Sequence, residues 1–157
     1  MVETNDRRLP VGIQSFEKIR KEGYLYVDKT DIIWQLANRN KTYHYLSRPR
    51  RFGKSVLVDT LEAYFMGKKD LFEGLKIMQL ETEWVKRPVI RLDMSRAGAE
   101  PETLRSYLNN IFRQYEKVYS LVPDPTDSLA DRFDAIIQTA YEQTGQQVAI
   151  LIDEYDS

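Results

Sequence analysis

The stretch Ser47-Arg48-Pro49-Arg50-Arg51-Phe52-Gly53-Lys54-Ser55 lies between Thr42-Tyr43-His44-Tyr45-Leu46 and a segment in which Val56, Leu57, Leu61, Tyr64 and Phe65 recur at helical spacing. The upstream residues are β-prone and the downstream ones trace an apolar stripe, so the order reads strand, loop, helix. Aligned with the phosphate-binding template G-x-x-x-x-G-K-[ST], Arg48 to Ser55 matches at Gly53, Lys54 and Ser55 and departs at the first glycine, where Arg48 stands. Arg48 costs about 1 kcal/mol if that position needs a positive φ, and nothing if it is still strand-like.

The chemistry explains the residue types. Gly53 lets the backbone come close to phosphate oxygens in a turn that a Cβ would obstruct, so that successive N–H groups around Arg51, Phe52, Gly53, Lys54 and Ser55 converge on an anion. Lys54 brings a point charge to the β/γ-phosphates, and the Ser55 hydroxyl is suited to Mg²⁺. The N-terminus of the following helix adds its partial positive charge.

Working outward, Ser15 to Arg20 reads as a short helix stopped by Gly23, and Tyr24 to Val27 as a short extended piece. Asp28 or Thr30 can cap a second helix, with Ile32, Ile33 and Leu36 on one face and an end near Asn38 to Asn40. Pro88 to Met94 is a nearly continuous β-prone run with proline at its start, where a strand tolerates it. A long helix then begins at Pro101 and carries Leu104, Tyr107, Leu108, Ile111, Phe112, Tyr115 and Val118 on one face. Another follows Pro123-Asp124-Pro125, capped by Asp127 or Ser128. Its stripe is Leu129, Phe133, Ile136, Ile137, Ala140 and Tyr141, and Gly145 is placed to close it in a left-handed conformation.

Val148-Ala149-Ile150-Leu151-Ile152 is an unbroken apolar run, expected to be a strand covered on both faces, and it ends in Asp153-Glu154. That is the form of a Walker B strand, in which Asp153 holds Mg²⁺ and Glu154 orients and deprotonates an attacking water. Strands alternating with helices, and lacking a solvent face, indicate an α/β fold: a parallel sheet between helical layers, of P-loop NTPase type.

Composition narrows the function classes. The chain has 157 residues, the size of one domain or part of a larger one. With 23 Lys+Arg against 24 Asp+Glu the net charge is −1, so no global field recruits nucleic acid or an anionic membrane. Hydrophobic residues at 42% and aromatics at 11% supply a core. The absence of cysteine excludes disulfides and Cys-ligated zinc and suits a reducing, cytoplasmic setting. The polar start Met1-Val2-Glu3-Thr4-Asn5-Asp6-Arg7-Arg8 has no apolar segment behind it, and no apolar run is long enough to cross a bilayer. His44 is the only histidine, which excludes a His-His-carboxylate metal site within one chain, and it reads as a structural strand residue.

The sequence resembles the bacterial AAA-ATPase-like family. The stretches that carry the resemblance are Leu9 to Arg20, Gly23-Tyr24-Leu25-Tyr26-Val27-Asp28-Lys29-Thr30, Ser47 to Ser55 and Leu151-Ile152-Asp153-Glu154-Tyr155-Asp156. The resemblance implies ATP with Mg²⁺ as ligands, a variant loop in which Arg48 is no defect, and a segment from Tyr26 to Thr30 close to the adenine. A capped helix packing on the core is the other reading of that segment. The family often carries a PD-(D/E)XK nuclease-like domain further along the chain, which would make DNA a partner through that missing C-terminal domain. ATPases with an added catalytic glutamate resemble one another in placing a further strand, tipped by a sensor residue, between the loop strand and the Walker B strand. That strand would come after Ser157, so the sheet is expected to be incomplete and the chain to be an N-terminal portion of the domain.

The expectation is therefore a single AAA-ATPase-like domain over residues 1–157, with an N-terminal helical segment at 1–41 and a P-loop core at 42–157. Its ligand would be a nucleotide, with Mg-dependent hydrolysis in the complete protein and no membrane association. Arg50 or Arg51 would touch phosphate or a partner. The basic cluster Arg48, Arg50, Arg51 and Lys54 leaves a second class open, binding of DNA or RNA phosphates, although no platform of exposed aromatics is legible. A third is a non-hydrolysing interaction scaffold. The short charge runs Lys68-Lys69-Asp70 and Glu81-Thr82-Glu83 read as solvated surface.

Overall fold

A computed structural model describes residues 15–38, 54–94, 97 and 100–153. The expected strand at Tyr43 to Leu46, with His44, lies outside the described residues. The elements are helices α1 (Phe16–Lys21), α2 (Thr30–Asn38), α3 (Lys54–Phe65) and α4 (Ile77–Leu80), strand β1 (Val89–Asp93), helices α5 (Pro101–Val118) and α6 (Leu129–Thr144), and strand β2 (Ala149–Asp153). The chain divides into two compact units, Met1–Val85 and Lys86–Ser157. It is a mixed α/β structure with a small parallel sheet of two strands among the described residues.

In the first unit, the Ser15 side chain accepts from the Lys18 amide at 3.2 Å and opens α1, while the Asp59 carboxylate of α3 accepts the Phe16 amide at 2.6 Å. These bonds satisfy donors that a helix start leaves without intrahelical partners, and the second ties α1 to α3. Gly23 at φ 73° turns the chain out of α1, as the sequence predicts. Residues 24–29 form no strand.

The next join is built on Asp28 and Thr30. One Asp28 carboxylate oxygen accepts from the Thr30 amide at 3.0 Å and hydroxyl at 2.6 Å, and the other accepts from the Lys76 amide at 2.8 Å. The Thr30 hydroxyl oxygen in turn accepts from the Ile77 amide at 3.0 Å, so the starts of α2 and α4 are pinned together. Thr30 is fully buried, and these bonds remove the cost that an unpaired hydroxyl would carry there.

Phe16, Ile33, Phe72 and Ile77 are fully buried around this join. Each such side chain contributes about 1.5 to 3 kcal/mol by leaving water. The Phe16 ring stands 5.0 Å from Phe72 and 5.2 Å from Tyr26, and Phe72 stands 5.2 Å from Trp84. Arg20 fastens the segment after α3 by donating to the carbonyls of Leu71 at 2.8 Å and Glu73 at 2.6 Å.

Two expectations are corrected here. Ile32 is 44% exposed, because only Ile33 of that pair turns toward the core. Glu81 is more than solvated surface: its carboxylate accepts a short bond from the Tyr64 hydroxyl and another from the Glu83 amide at 3.1 Å.

In the second unit, α5 and α6 pack on one face of β1. Ile90, Leu92, Phe112 and Ile136 are buried there, with Leu108, Tyr115, Phe133 and Ile137 around them. Phe112 and Phe133 stack at 5.4 Å. Ser128, of the two expected caps, opens α6 through a reciprocal capping box with Asp131, and Gly145 closes it at φ 70°. Val118 and Tyr141, placed on the buried stripes by periodicity, are 69% and 53% exposed, while Tyr119 packs on the core and Ala140 is fully buried beside them.

Periodicity also missed Glu116, which is buried on α5. It forms a two-pronged pair with Arg132 of α6 at 2.6 and 3.0 Å, and Arg132 also donates to the Asn109 side chain. Arg132→Met should cost about 3 to 5 kcal/mol in urea unfolding by stranding the Glu116 charge, and Glu116→Met added to it should recover most of that loss.

A second prediction comes from Asp28. Burial raises its carboxyl, but hydrogen bonds from the Thr30 hydroxyl and amide and the Lys76 amide outweigh that and leave it below the ordinary carboxylate range. A depressed folded-state value means that the stabilisation is complete above the unfolded-state value, about 4, and is lost as pH falls through the folded-state value. Asp28→Asn should therefore cost about 1 to 3 kcal/mol at neutral pH, and the gap to the parent should narrow as urea titrations are taken below about pH 4.

Candidate functional site

Helix α3 begins at Lys54, directly after Gly53, and runs for 12 residues. The backbone of Lys54 and Ser55 therefore forms its first turn, where amide groups lack intrahelical acceptors and the helix dipole is positive. Arg48, Arg50, Arg51, Phe52 and Gly53 lie outside the described residues, as does Glu154. For Lys54 and Ser55 the backbone alone is described. The helix is held by burial of Val58, Thr60, Leu61, Ala63 and Tyr64. Leu61 and Tyr64 belong to the expected stripe. Val58, Thr60 and Ala63 do not, because α1 and α2 cover α3 on more than one side.

The segment from Tyr26 to Thr30 takes the form of the capped helix packing on the core. Asp28 and Thr30 bind α2 to α4 as described, and the Tyr26 phenol is hydrogen-bonded to Thr60. Burial, the largest influence, raises the Tyr26 hydroxyl above its ordinary value, so it stays protonated at neutral pH.

The second group of expected site residues is carried by the sheet. Strands β1 and β2 pair in parallel with Val89 opposite Ala149, Arg91 opposite Leu151 and Asp93 opposite Asp153. Side chains alternate along a strand and paired residues point the same way, so Arg91, Asp93, Leu151 and Asp153 share one face. Ile90, Leu92, Ile150 and Ile152 share the other. That second face is buried along β1 but 38% and 48% exposed at Ile150 and Ile152. The expectation that β2 is covered on both faces is corrected accordingly, since the core of this unit gathers around Ile90 and Leu92 of β1.

Asp153 ends β2 with its side chain 14% exposed, and the Arg91 guanidinium stands 3.9 Å from its carboxylate. Arg91 is a residue that apolar patterning passes over. The signal that finds it is parity, since positions 91 and 93 of β1 fall on the face of 151 and 153 once the register is known.

Tyrosines from α5 fix the strand that carries Arg91. The amides of Arg91 and Asp93 point away from β2 and donate to the hydroxyls of Tyr115 at 2.9 Å and Tyr107 at 2.7 Å. The outer edge of β1 is thus closed by side chains where another strand would otherwise pair.

An open cavity of about 430 Å³ lies elsewhere in this unit, beside α5, the loop after it and α6. Its charged lining is Arg113, Lys117 and Arg132 against Glu116, Asp124 and Asp127, so it presents no net field to a polyanion. None of the expected site residues lines it.

An α/β chain with a small parallel sheet, a helix opening at a Gly-Lys-Ser sequence and an aspartate at a strand tip is the class of protein that these features define. The chain belongs to the family described as predicted AAA-ATPase, whose model matches residues 10–157. Family membership suggests nucleotide binding. Among curated proteins, the chain is 37% identical over 153 residues to one from Azotobacter chroococcum mcd 1 described as "Uncharacterized protein in vnfD 5'region". The match takes in 96% of this chain and 29% of that relative's length. No solved structure matches the chain. No helix among the described residues is long and apolar enough to cross a membrane.

The tyrosine caps yield a prediction. Tyr115→Phe or Tyr107→Phe leaves a strand amide without its acceptor, at a cost of about 1 to 3 kcal/mol each in unfolding. Hydrogen exchange should accelerate at the Arg91 amide in the first variant and at the Asp93 amide in the second.

Proposed function

We propose that this chain carries the phosphate-binding and metal-binding edges of a P-loop ATP site, and that the complete protein hydrolyses ATP with Mg²⁺ in the cytoplasm. The observation that carries the reading is the start of α3 at Lys54. It places the backbone of Lys54 and Ser55, which follow Gly53 in the sequence, in the first turn of a helix, the setting in which a Gly-Lys-Ser tripeptide binds phosphate. The family supports the reading in its coarser form, nucleotide binding.

In this reading the amides from Arg51 to Ser55 cradle the phosphates and Lys54 neutralises the β/γ charge. Ser55 and Asp153 hold Mg²⁺. Asp153 fits that part: it offers hard carboxylate oxygens at the C-terminal tip of a parallel strand, and magnesium is commonly held by one or two carboxylates together with substrate phosphates. When bound, the cation neutralises charge on the transferring phosphoryl group. Glu154 orients the attacking water and takes its proton. Positioning and charge neutralisation supply most of the rate.

The fold that goes with this reading is a larger parallel sheet of P-loop type. Closure of the outer edge of β1 by Tyr107 and Tyr115 supports growth of the sheet on the β2 side. Coupling to DNA through a nuclease-like domain belongs to the proposal for the whole protein, since this chain spans 29% of the length of the relative it matches.

Lys54→Ala should weaken MgATP binding by at least tenfold in calorimetry, a loss of about 1.4 kcal/mol or more. Unchanged binding would remove the cradle assignment. In a longer form of the protein, Glu154→Gln should leave MgATP binding intact and lower kcat by two or more orders of magnitude, about the scale of general-base catalysis. DNA binding that falls steeply with salt and with substitution of Arg50 or Arg51, without competition from ATP, would favour the nucleic-acid reading instead.

A further inference from the structure

We propose that Arg91 is a gate on the Asp153 carboxylate: it neutralises that group so that a bare divalent cation is held poorly, and a cation is accepted when it arrives with nucleotide phosphates. The inference rests on the assignment of Asp153 to the metal made above, and it adds the regulation of that site.

Three features of the sheet lead to it. The register places Arg91 opposite Leu151 and Asp93 opposite Asp153, so Arg91 lies one diagonal step from Asp153 on the same face. Its guanidinium reaches the carboxylate at 3.9 Å, with the two side chains only 26% and 14% exposed. Screening by solvent and salt is weaker for a pair this enclosed than at an open surface. Lastly, the Arg91 amide donates to the Tyr115 hydroxyl at 2.9 Å and its strand pairs with β2, so the backbone that carries Arg91 is held in place beside the one that carries Asp153.

A positive charge beside a metal-binding carboxylate repels a dication. A nucleotide reverses the balance, because its phosphates bring more negative charge than the guanidinium opposes and supply ligands beyond the Asp153 carboxylate and the Asp93 level with it on the same face. Arg91 is therefore a positioning and charge-setting residue, acting through Asp153.

The test is Mn²⁺ binding to the 157-residue chain, followed by electron paramagnetic resonance of the free ion, with Mn²⁺ alone and then with Mn²⁺ and ATP. Arg91→Met should bind Mn²⁺ alone roughly tenfold more tightly than the parent at low ionic strength, while Arg91→Lys, which keeps the charge, should stay close to the parent. With ATP present, the parent and Arg91→Met should differ by less than about threefold, since phosphate charge offsets the guanidinium. If Arg91→Met fails to fold by circular dichroism, Arg91→Gln carries the same comparison. Unchanged Mn²⁺ affinity on neutralising Arg91, in a chain where Asp153→Asn abolishes binding, overturns the gate and leaves the Asp153 assignment standing. Mn²⁺ binding indifferent to Asp153→Asn in both backgrounds overturns that assignment and the gate with it. Weaker binding in both Arg91→Met and Arg91→Lys overturns the gate and makes Arg91 a packing residue of β1.

Discussion

The parallel, in-register pairing of β1 with β2 is the constraint on which the second unit depends. It sets Asp93 level with Asp153 and brings Arg91 within reach of the Asp153 carboxylate. A slip of one residue would put Asp153 on the face of Ile90 and Leu92 and turn Leu151 away from Arg91. Two things fix the orientation of β1 against the helices, and so which face of the sheet carries Arg91 and its neighbours. Ile90 and Leu92 must face Phe112 and Ile136, and the amides of Arg91 and Asp93 must face the hydroxyls of Tyr115 and Tyr107. The first condition is apolar and tolerant of small shifts; the second is directional and is not.

The same division of labour recurs in both units. Burial of large apolar side chains supplies most of the stabilisation, and a few buried polar groups decide which arrangement is adopted. Thr30 sits fully buried yet both donates and accepts, so it links α2 to α4 in one geometry. Glu116 and Arg132 join α5 to α6 in the same manner. A mismatched packing of these helices would leave a buried hydroxyl or charge unpaired, which costs more than the bond contributes when made.

Much of the element order was legible because it rests on local chemistry. Ser15, Pro101, Ser128, Gly23 and Gly145 act on the backbone beside them, and each bounds an element that the structure shows. The face of α5 was readable from periodicity at Phe112 and Leu108 but not at Val118, where the neighbouring Tyr119 turns to the core instead. The turn and short helix between Lys69 and Leu80 went unread, since segments of 4 residues are too brief for a period to show. For the candidate site, the sequence singled out Lys54, Ser55 and Asp153, and the structure adds a helix start at the first and a strand tip at the last.

The amino-acid sequence by itself indicated the longer helices and the two paired strands, the parallel character of an apolar strand that finishes in Asp153, and the Gly-Lys-Ser opening of a helix. Those properties follow from capping, periodicity and backbone freedom, which act over a few residues. Only the tertiary structure decided that Arg91 faces Asp153, that tyrosine hydroxyls close the edge of β1, and that Glu116 is buried against Arg132. Each of these joins residues at least 14 positions apart, and their partnership depends on strand register and helix crossing, quantities that no local pattern encodes.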